Sequence, residues 1–153
     1  MGNTDKLVRE LVGLPFEMPW LEFKRDNYDP DMIGQDISAL ANSAALEERA
    51  AAYFLWGIDN RTHEIVGTSH DLQTLKRGGE ELENWLRHQL SQNTDFEFET
   101  VAIDGKTVGV MTIRPAVSQP VSFEKQAYIR VGSYTKKLSE YRTVEARLWN
   151  KLQ

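Results

Sequence analysis

Residues 96 to 113 read FEFETVAIDGKTVGVMTI, and this stretch constrains the fold more than any other. Two runs of strand-forming residues flank Asp104 and Gly105, a pair that readily adopts the positive φ angles of a two-residue hairpin turn. An antiparallel pair is thus specified locally. A lone hairpin is marginal in water, so the rest of the chain must supply partner strands and helical cover.

The remaining segments carry that cover. TDKLVRELV, residues 4 to 12, puts Leu7, Val8 and Leu11 on one side of a short helix with Thr4 as its N-cap. In WLEFKR, Leu21 and Phe23 alternate with Trp20, Glu22 and Lys24, the period of a half-buried strand. Glu22 and Lys24 therefore share a face, about 7 Å apart along it. Asp29 and Pro30 form an N-cap and N1 pair that opens a helix, continued at helical spacing by Ile33, Ile37, Leu40, Ala41 and Ala44. AAAYFLWGIDN is expected as a buried strand and HEIVGTSH as its hairpin partner, across a turn at Asp59, Asn60 and Arg61.

Gly78 and Gly79 precede EELENWLRHQL, a helix pattern with Leu82, Trp85, Leu86 and Leu90 as its apolar stripe and acids in its first turn. VSFEKQ and AYIRVGS supply one more strand or two. SEYRTVEARLWNKL ends the chain as a helix with Tyr141, Val144, Leu148 and Leu152 inward. This order predicts an α+β domain, with a mixed, mostly antiparallel sheet of about six strands and about four helices. The 153 residues suit a single domain spanning 1–153, without repeat or linker. The final helical pattern runs to Leu152 with no stop signal after it, as expected of a domain excised from a longer chain.

Charge is unevenly spread. The net charge is -5, which weighs against a nucleic-acid partner, yet residues 106 to 137 hold 6 basic residues and 1 acidic one. A fold that gathers Lys106, Arg114, Lys125, Arg130, Lys136 and Lys137 would offer an anion a positive surface; the alternative is a solvated, strand-rich face. The chain has no cysteine, which removes disulfides and thiolate zinc sites and fits a cytoplasmic setting. No apolar run approaches the roughly 18 residues of a membrane span, so no membrane partner is expected.

Two groups of residues carry candidate chemistry. Glu17, Glu22 and Lys24 have the types that a phosphodiester-cleaving site needs: carboxylates to hold Mg²⁺ or Mn²⁺, and a lysine to stabilise developing charge. Asp59 could complete the acidic set, or it could simply form the turn. In YIRVGSYTKK, Tyr128 and Arg130 share a strand face, followed by Gly132, Ser133, Lys136 and Lys137. Arginine, serine and lysine are phosphate-gripping groups and an exposed aromatic can stack on a base; equally, the segment could be an edge strand guarded by lysines. His63, His70 and His88 lack metal-binding spacing, and no P-loop or nucleophilic-serine motif is present.

WLEFKRD, DISALANSAA, FLWGIDNRTHEIVGT, ELENWLRHQL and YIRVGSYTKKL, in this order, closely resemble the Schlafen-type AlbA-like domain. The resemblance spans about residues 17 to 149. It implies a nucleic-acid-binding α+β module, for DNA or structured RNA, often N-terminal in larger bacterial proteins such as transcriptional regulators. Lys24, Arg25, Tyr128, Arg130, Ser133, Lys136 and Lys137 are then the expected nucleic-acid-binding residues. In the animal branch of the family some members are metal-dependent endoribonucleases. Their two glutamates have the spacing of Glu17 and Glu22, and their aspartate falls in the stretch matching GIDN. That implies Glu17, Glu22 and Asp59 as metal ligands, with Lys24 assisting catalysis. Two departures stand out: Asn60 follows Asp59 where the family often has a second acid, and AALEERAA replaces a Gly-Gly turn, predicting a longer, helical connection. A protein-interaction module that binds no nucleic acid fits the acidic first two thirds, and homo-oligomers are common among such modules.

Overall fold

In the computed structural model, which describes residues 2–153, the chain begins α1 (Asn3–Val12), β1 (Leu21–Lys24), α2 (Pro30–Leu46), β2 (Ala52–Trp56). It continues β3 (Lys76–Arg77), β4 (Glu80–Glu81), α3 (Leu82–Gln89), β5 (Phe96–Ile103), β6 (Lys106–Ile113). The last elements are β7 (Ser122–Phe123), β8 (Gln126–Val131), β9 (Tyr134–Lys137) and α4 (Arg142–Lys151). The Asp104–Gly105 hairpin forms as predicted, with β5 and β6 paired from Phe96 opposite Ile113 to Ile103 opposite Lys106. β2 joins the far edge of β6 antiparallel, and β1 joins β2 in parallel, giving the order β1-β2-β6-β5. A parallel pair needs a crossover, and α2 supplies it.

Alternation along the strands sorts the core into two faces. Phe54 and Trp56 of β2, with Met111 and Ile113 of β6, pack against Ile33, Ile37 and Leu40 of α2 and Leu82 and Leu86 of α3. On the opposite face, Leu21 and Phe23 of β1, Leu55, Val108 and Val110 close around Val8 and Leu11 of α1. Glu22 and Lys24, pointing the other way from Leu21 and Phe23, therefore lie on the α2 side of the sheet edge.

Helix α2 starts as predicted, with the Asp29 carboxylate accepting from the Met32 N–H at 3.0 Å and Pro30 in the first helical position. Its next turn packs tightly on the second sheet. A Cβ added at Gly34 would stand 2.2 Å from Cε1 of Phe123 in β7, so no larger residue fits without a shift.

The second sheet has the order β7-β8-β9, and α2 completes its hydrogen bonding. The Tyr128 N–H donates to Ser38 Oγ at 2.9 Å, Asn42 Nδ2 donates to the Tyr128 carbonyl at 2.8 Å, and the Arg130 N–H donates to Ser43 Oγ at 3.2 Å. Asn42 also donates to the Val121 carbonyl at 2.9 Å and accepts from the Val121 N–H at 2.7 Å. Buried backbone groups require partners, and three polar side chains of a buried helix stand where another strand would be. The spacings suit this: four to five helical residues rise roughly 6 to 7.5 Å, and two strand residues roughly 6.6 Å. Below this sheet, Leu148 of α4 packs with Ile129 and Leu138.

The fold is α+β with four helices and mostly antiparallel strands, divided between a four-stranded sheet, a three-stranded sheet and the β3–β4 ribbon. Local expectations differ in four places. HEIVGTSH is not the partner strand of β2; it contributes the single bridge between Ile58 and Ile65, and the longer β6 takes that edge. Gly78 and Gly79 turn the β3–β4 ribbon rather than open α3. Thr4 does not cap α1, because its hydroxyl donates to Glu99 at 2.7 Å. The connection after α2 is a turn, not a longer helix.

Candidate nucleic-acid interface

Glu22 sits on the edge strand β1, beneath α2, and only 7% of it is exposed. A buried carboxylate needs a cation or donors to remain ionised. Strand β8 supplies Arg130, whose side chain is wholly buried: Nη1 donates to Glu22 Oε2 at 2.6 Å, and Nη2 stands 3.7 Å from Glu17 Oε2. The other Glu22 oxygen accepts from the Phe23 N–H at 3.1 Å. Nη2 and Nε of Arg130 make no hydrogen bond, so the guanidinium holds Glu17 by charge alone.

Glu17 belongs to the loop between α1 and β1. Burial, reinforced by the charge on Glu22, pushes it up to about 7, with Arg130 and Lys24 pulling the other way. Asp36 of α2 lies close enough to feel the same charges. Burial pushes it up to about 6, a hydrogen bond from Thr135 Oγ1 at 2.6 Å restrains the rise, and Glu22 adds repulsion. Asp36 was not among the expected site residues. Its signal was its position on the apolar stripe of α2, three residues after Ile33 and four before Leu40, where a carboxylate must be answered by charge or donors.

Glu17, Glu22 and Lys24 open into a cleft of about 640 Å³, walled by Asn60, Arg61 and His63 on one side and by Ser133 and Tyr134 on another, with Phe16 at the loop. His63 also packs edge-on against Phe23, with ring centroids 4.8 Å apart. The remaining histidines pair with acids elsewhere, His70 with Asp26 and His88 with Glu80.

Asp59 does not join the other acids. One oxygen accepts from the backbone N–H groups of Arg61 and Thr62 at 2.8 and 2.9 Å, and the other accepts from Arg25 Nη1 at 3.0 Å. These donors, the two backbone groups first, hold it below the usual carboxylate range. It acts as a turn former, and Arg25 is drawn to it. Among the described residues no three histidine, aspartate or glutamate side chains are placed to hold a metal ion together. The expected ligand set of Glu17, Glu22 and Asp59 is thus not assembled: the cation facing the two glutamates is Arg130, and the third carboxylate beside Glu22 is Asp36.

Of the residues expected to contact nucleic acid, Lys24 and Ser133 line the cleft. Lys136 and Lys137 are exposed on β9, with Lys136 Nζ 5.6 Å from the centroid of the Tyr134 ring. Arg130 is buried as a counter-ion. Tyr128 is half-buried, its backbone engaged by α2. Gly132 and Ser133 form the two-residue loop between the paired Val131 and Tyr134, with positive φ at Gly132 only, the pattern of a II′ turn. Sequence reasoning passed over Phe16, Arg61, His63 and Tyr134 as cleft residues. The available signal was two bulky aromatics placed beside Pro15 and beside a Gly-Ser turn, where burial is not expected.

Residues 17–139 match the family model described as Schlafen, AlbA_2. No curated protein matches the chain. Solved structures similar to it include the crystal structure of the DIP2311 protein from Corynebacterium diphtheriae, 13% identical, with a TM-score of 0.53, covering 92% of this chain and 32% of that one. That likeness shows a shared fold, and the chain spans about a third of the length of the DIP2311 protein. The family match starts at Glu17, takes in β1 with Glu22 and continues through β8 and β9 with Arg130 and the turn before Tyr134. The chain belongs to the Schlafen AlbA_2 family.

Proposed function

We propose that this domain binds nucleic acid through the cleft at the edge of β1, as a module of a bacterial regulatory protein. The observation that carries the reading is the set of donors gathered there in a chain of net charge -5: Lys24, Asn60, Arg61, His63 and Ser133, with Lys136 beside Tyr134. Phosphate oxygens are bound by such groups, and most protein contacts to a nucleic acid go to its backbone. The acids of the cleft do not prevent this. Glu22 faces Arg130, and Glu17, raised to about 7, carries only part of its charge at neutral pH. The family membership supports the same reading, and a chain without cysteine suits a cytoplasmic setting.

Fluorescence anisotropy of a labelled oligonucleotide at rising salt tests it. Binding should weaken steeply with ionic strength, and Lys24→Gln should lower affinity while reducing the slope of log K against log salt by about one. No detectable affinity for DNA or RNA at low ionic strength would sink the proposal.

The adjacency of Glu17 and Glu22 favours a second reading, divalent-metal-dependent cleavage of RNA. The residues do not fit an ion as they stand, because Arg130 already faces the pair and Asp59 is engaged in its turn. Incubating tRNA with Mn²⁺, using wild type, Glu17→Gln and Glu22→Gln, decides it. Cleavage that persists unchanged in both variants is a contaminant's.

A further inference from the structure

We infer that the cleft takes an unpaired base of a single strand, stacked against Phe16 and Tyr134. This rests on the nucleic-acid reading above and names the substrate form that the cleft selects. Among the described residues, the large hydrophobic side chains left exposed are Phe16 at 64%, Tyr134 at 69%, Val117 and Trp149. The first two line the same cleft, although one comes from the loop before β1 and the other from the first position of β9.

Phe16 follows Pro15 in a loop and Tyr134 follows the Gly132–Ser133 turn, positions where the backbone calls for no aromatic. The core buries Phe23, Phe54, Phe96, Phe123 and Trp56 almost completely, so the fold has room for aromatics. Leaving two rings largely in water at one opening forgoes much of their burial, and a ligand with flat apolar faces recovers it. A nucleobase is such a ligand, because every base has a π-face and stacking on a protein aromatic is tolerant of sequence. The surroundings complement a nucleotide rather than a purely apolar group. Lys136 lies over the Tyr134 ring side, and Lys24, Arg61 and Ser133 line the same walls, suited to a phosphate and a sugar. A cleft of about 640 Å³ falls in the range of roughly 300 to 1,000 Å³ that accommodates small-molecule ligands. A duplex cannot use these rings without first extruding a base, since its bases are already stacked and paired.

The test is anisotropy at low ionic strength with three probes: a short oligothymidine strand, the same strand with abasic sites throughout its centre, and a blunt duplex. Wild type, Phe16→Ala, Tyr134→Ala and Tyr134→Phe are compared; the exposed positions leave the core untouched. The intact strand should bind tightest. Each alanine variant should weaken it about 5- to 100-fold without changing the salt slope, because no phosphate contact is lost. Tyr134→Phe, which keeps the ring, should bind like wild type. The abasic strand, equal in charge, should bind wild type as weakly as the intact strand binds the alanine variants. Equal affinity of wild type for intact and abasic strands, or unchanged affinity in both alanine variants, overturns the inference while leaving charge-driven binding in place. Failure of all three probes, and of an oligouridine strand of the same length, to bind removes the nucleic-acid reading and this inference with it.

Discussion

Arg130 and Glu22 stand 108 positions apart in the chain and meet at 2.6 Å, the guanidinium wholly enclosed and the carboxylate nearly so. Removing one member leaves the other buried without its counter-charge, which typically costs about 3 to 5 kcal/mol. Arg130→Met is expected to destabilise the domain by that amount, read from urea unfolding. The double variant Arg130→Met, Glu22→Met should be less destabilised than the sum of the single changes. A strictly additive cycle would show that the two groups do not depend on each other.

Glu17 and Asp36 give stability a pH dependence of defined sign. Both carboxyls are raised in the folded state, to about 7 and about 6, so between their unfolded values and these the folded chain binds more protons than the unfolded one. Their contribution is full below roughly pH 4, near the unfolded carboxyl values, and is lost as pH rises through 6 and 7. The thermal midpoint should therefore fall between about pH 5.5 and pH 8, and Glu17→Gln should flatten most of that fall. An unchanged slope in Glu17→Gln would remove Glu17 as the cause.

Asn42 satisfies the Val121 N–H and carbonyl and the Tyr128 carbonyl at once. Each buried group left without a partner costs about 1 to 3 kcal/mol, so Asn42→Ala should be among the most destabilising polar substitutions in the chain. Ser38→Ala, which frees the Tyr128 N–H and the Val121 carbonyl, should cost less because Asn42 still donates to that carbonyl. Chemical denaturation ranks the two, and the reverse order would contradict this account of how α2 holds β8.

At Gly34 a methyl group would meet the ring of Phe123. Gly34→Ala should destabilise by about 1 to 3 kcal/mol, as overpacking does, despite alanine's better helix propensity. Pairing it with Phe123→Leu should recover part of the loss. A Gly34→Ala variant more stable than the parent would mean that the contact relaxes freely.

What the sequence made legible follows from locality. The Asp104–Gly105 hairpin and the Asp29–Pro30 helix start are set by residues adjacent in the chain, and both form as their patterns predict. The partner of β2 is not, because it lies in β6, 53 to 61 positions on, and no local rule ranks it above the nearer 63–70. The site divides in the same way. Strand alternation put Glu22 and Lys24 on one face, whereas the role of Arg130 depended on which side of β8 meets β1. Asp59, by contrast, met its turn-forming expectation through bonds to residues two and three positions away.

The side-chain ladder from α2 to β8 has a consequence for how the cleft keeps its charge. Successive strand residues point to opposite sides, so a slip of β8 by one position would swing Arg130 away from the two glutamates and bring Ile129 or Val131 toward them. Ser38 and Asn42 act as pawls against that slip, each gripping a particular peptide of the strand. Two uncharged residues inside a helix thereby determine whether the acidic corner of a neighbouring sheet is neutralised, and they do so without touching it.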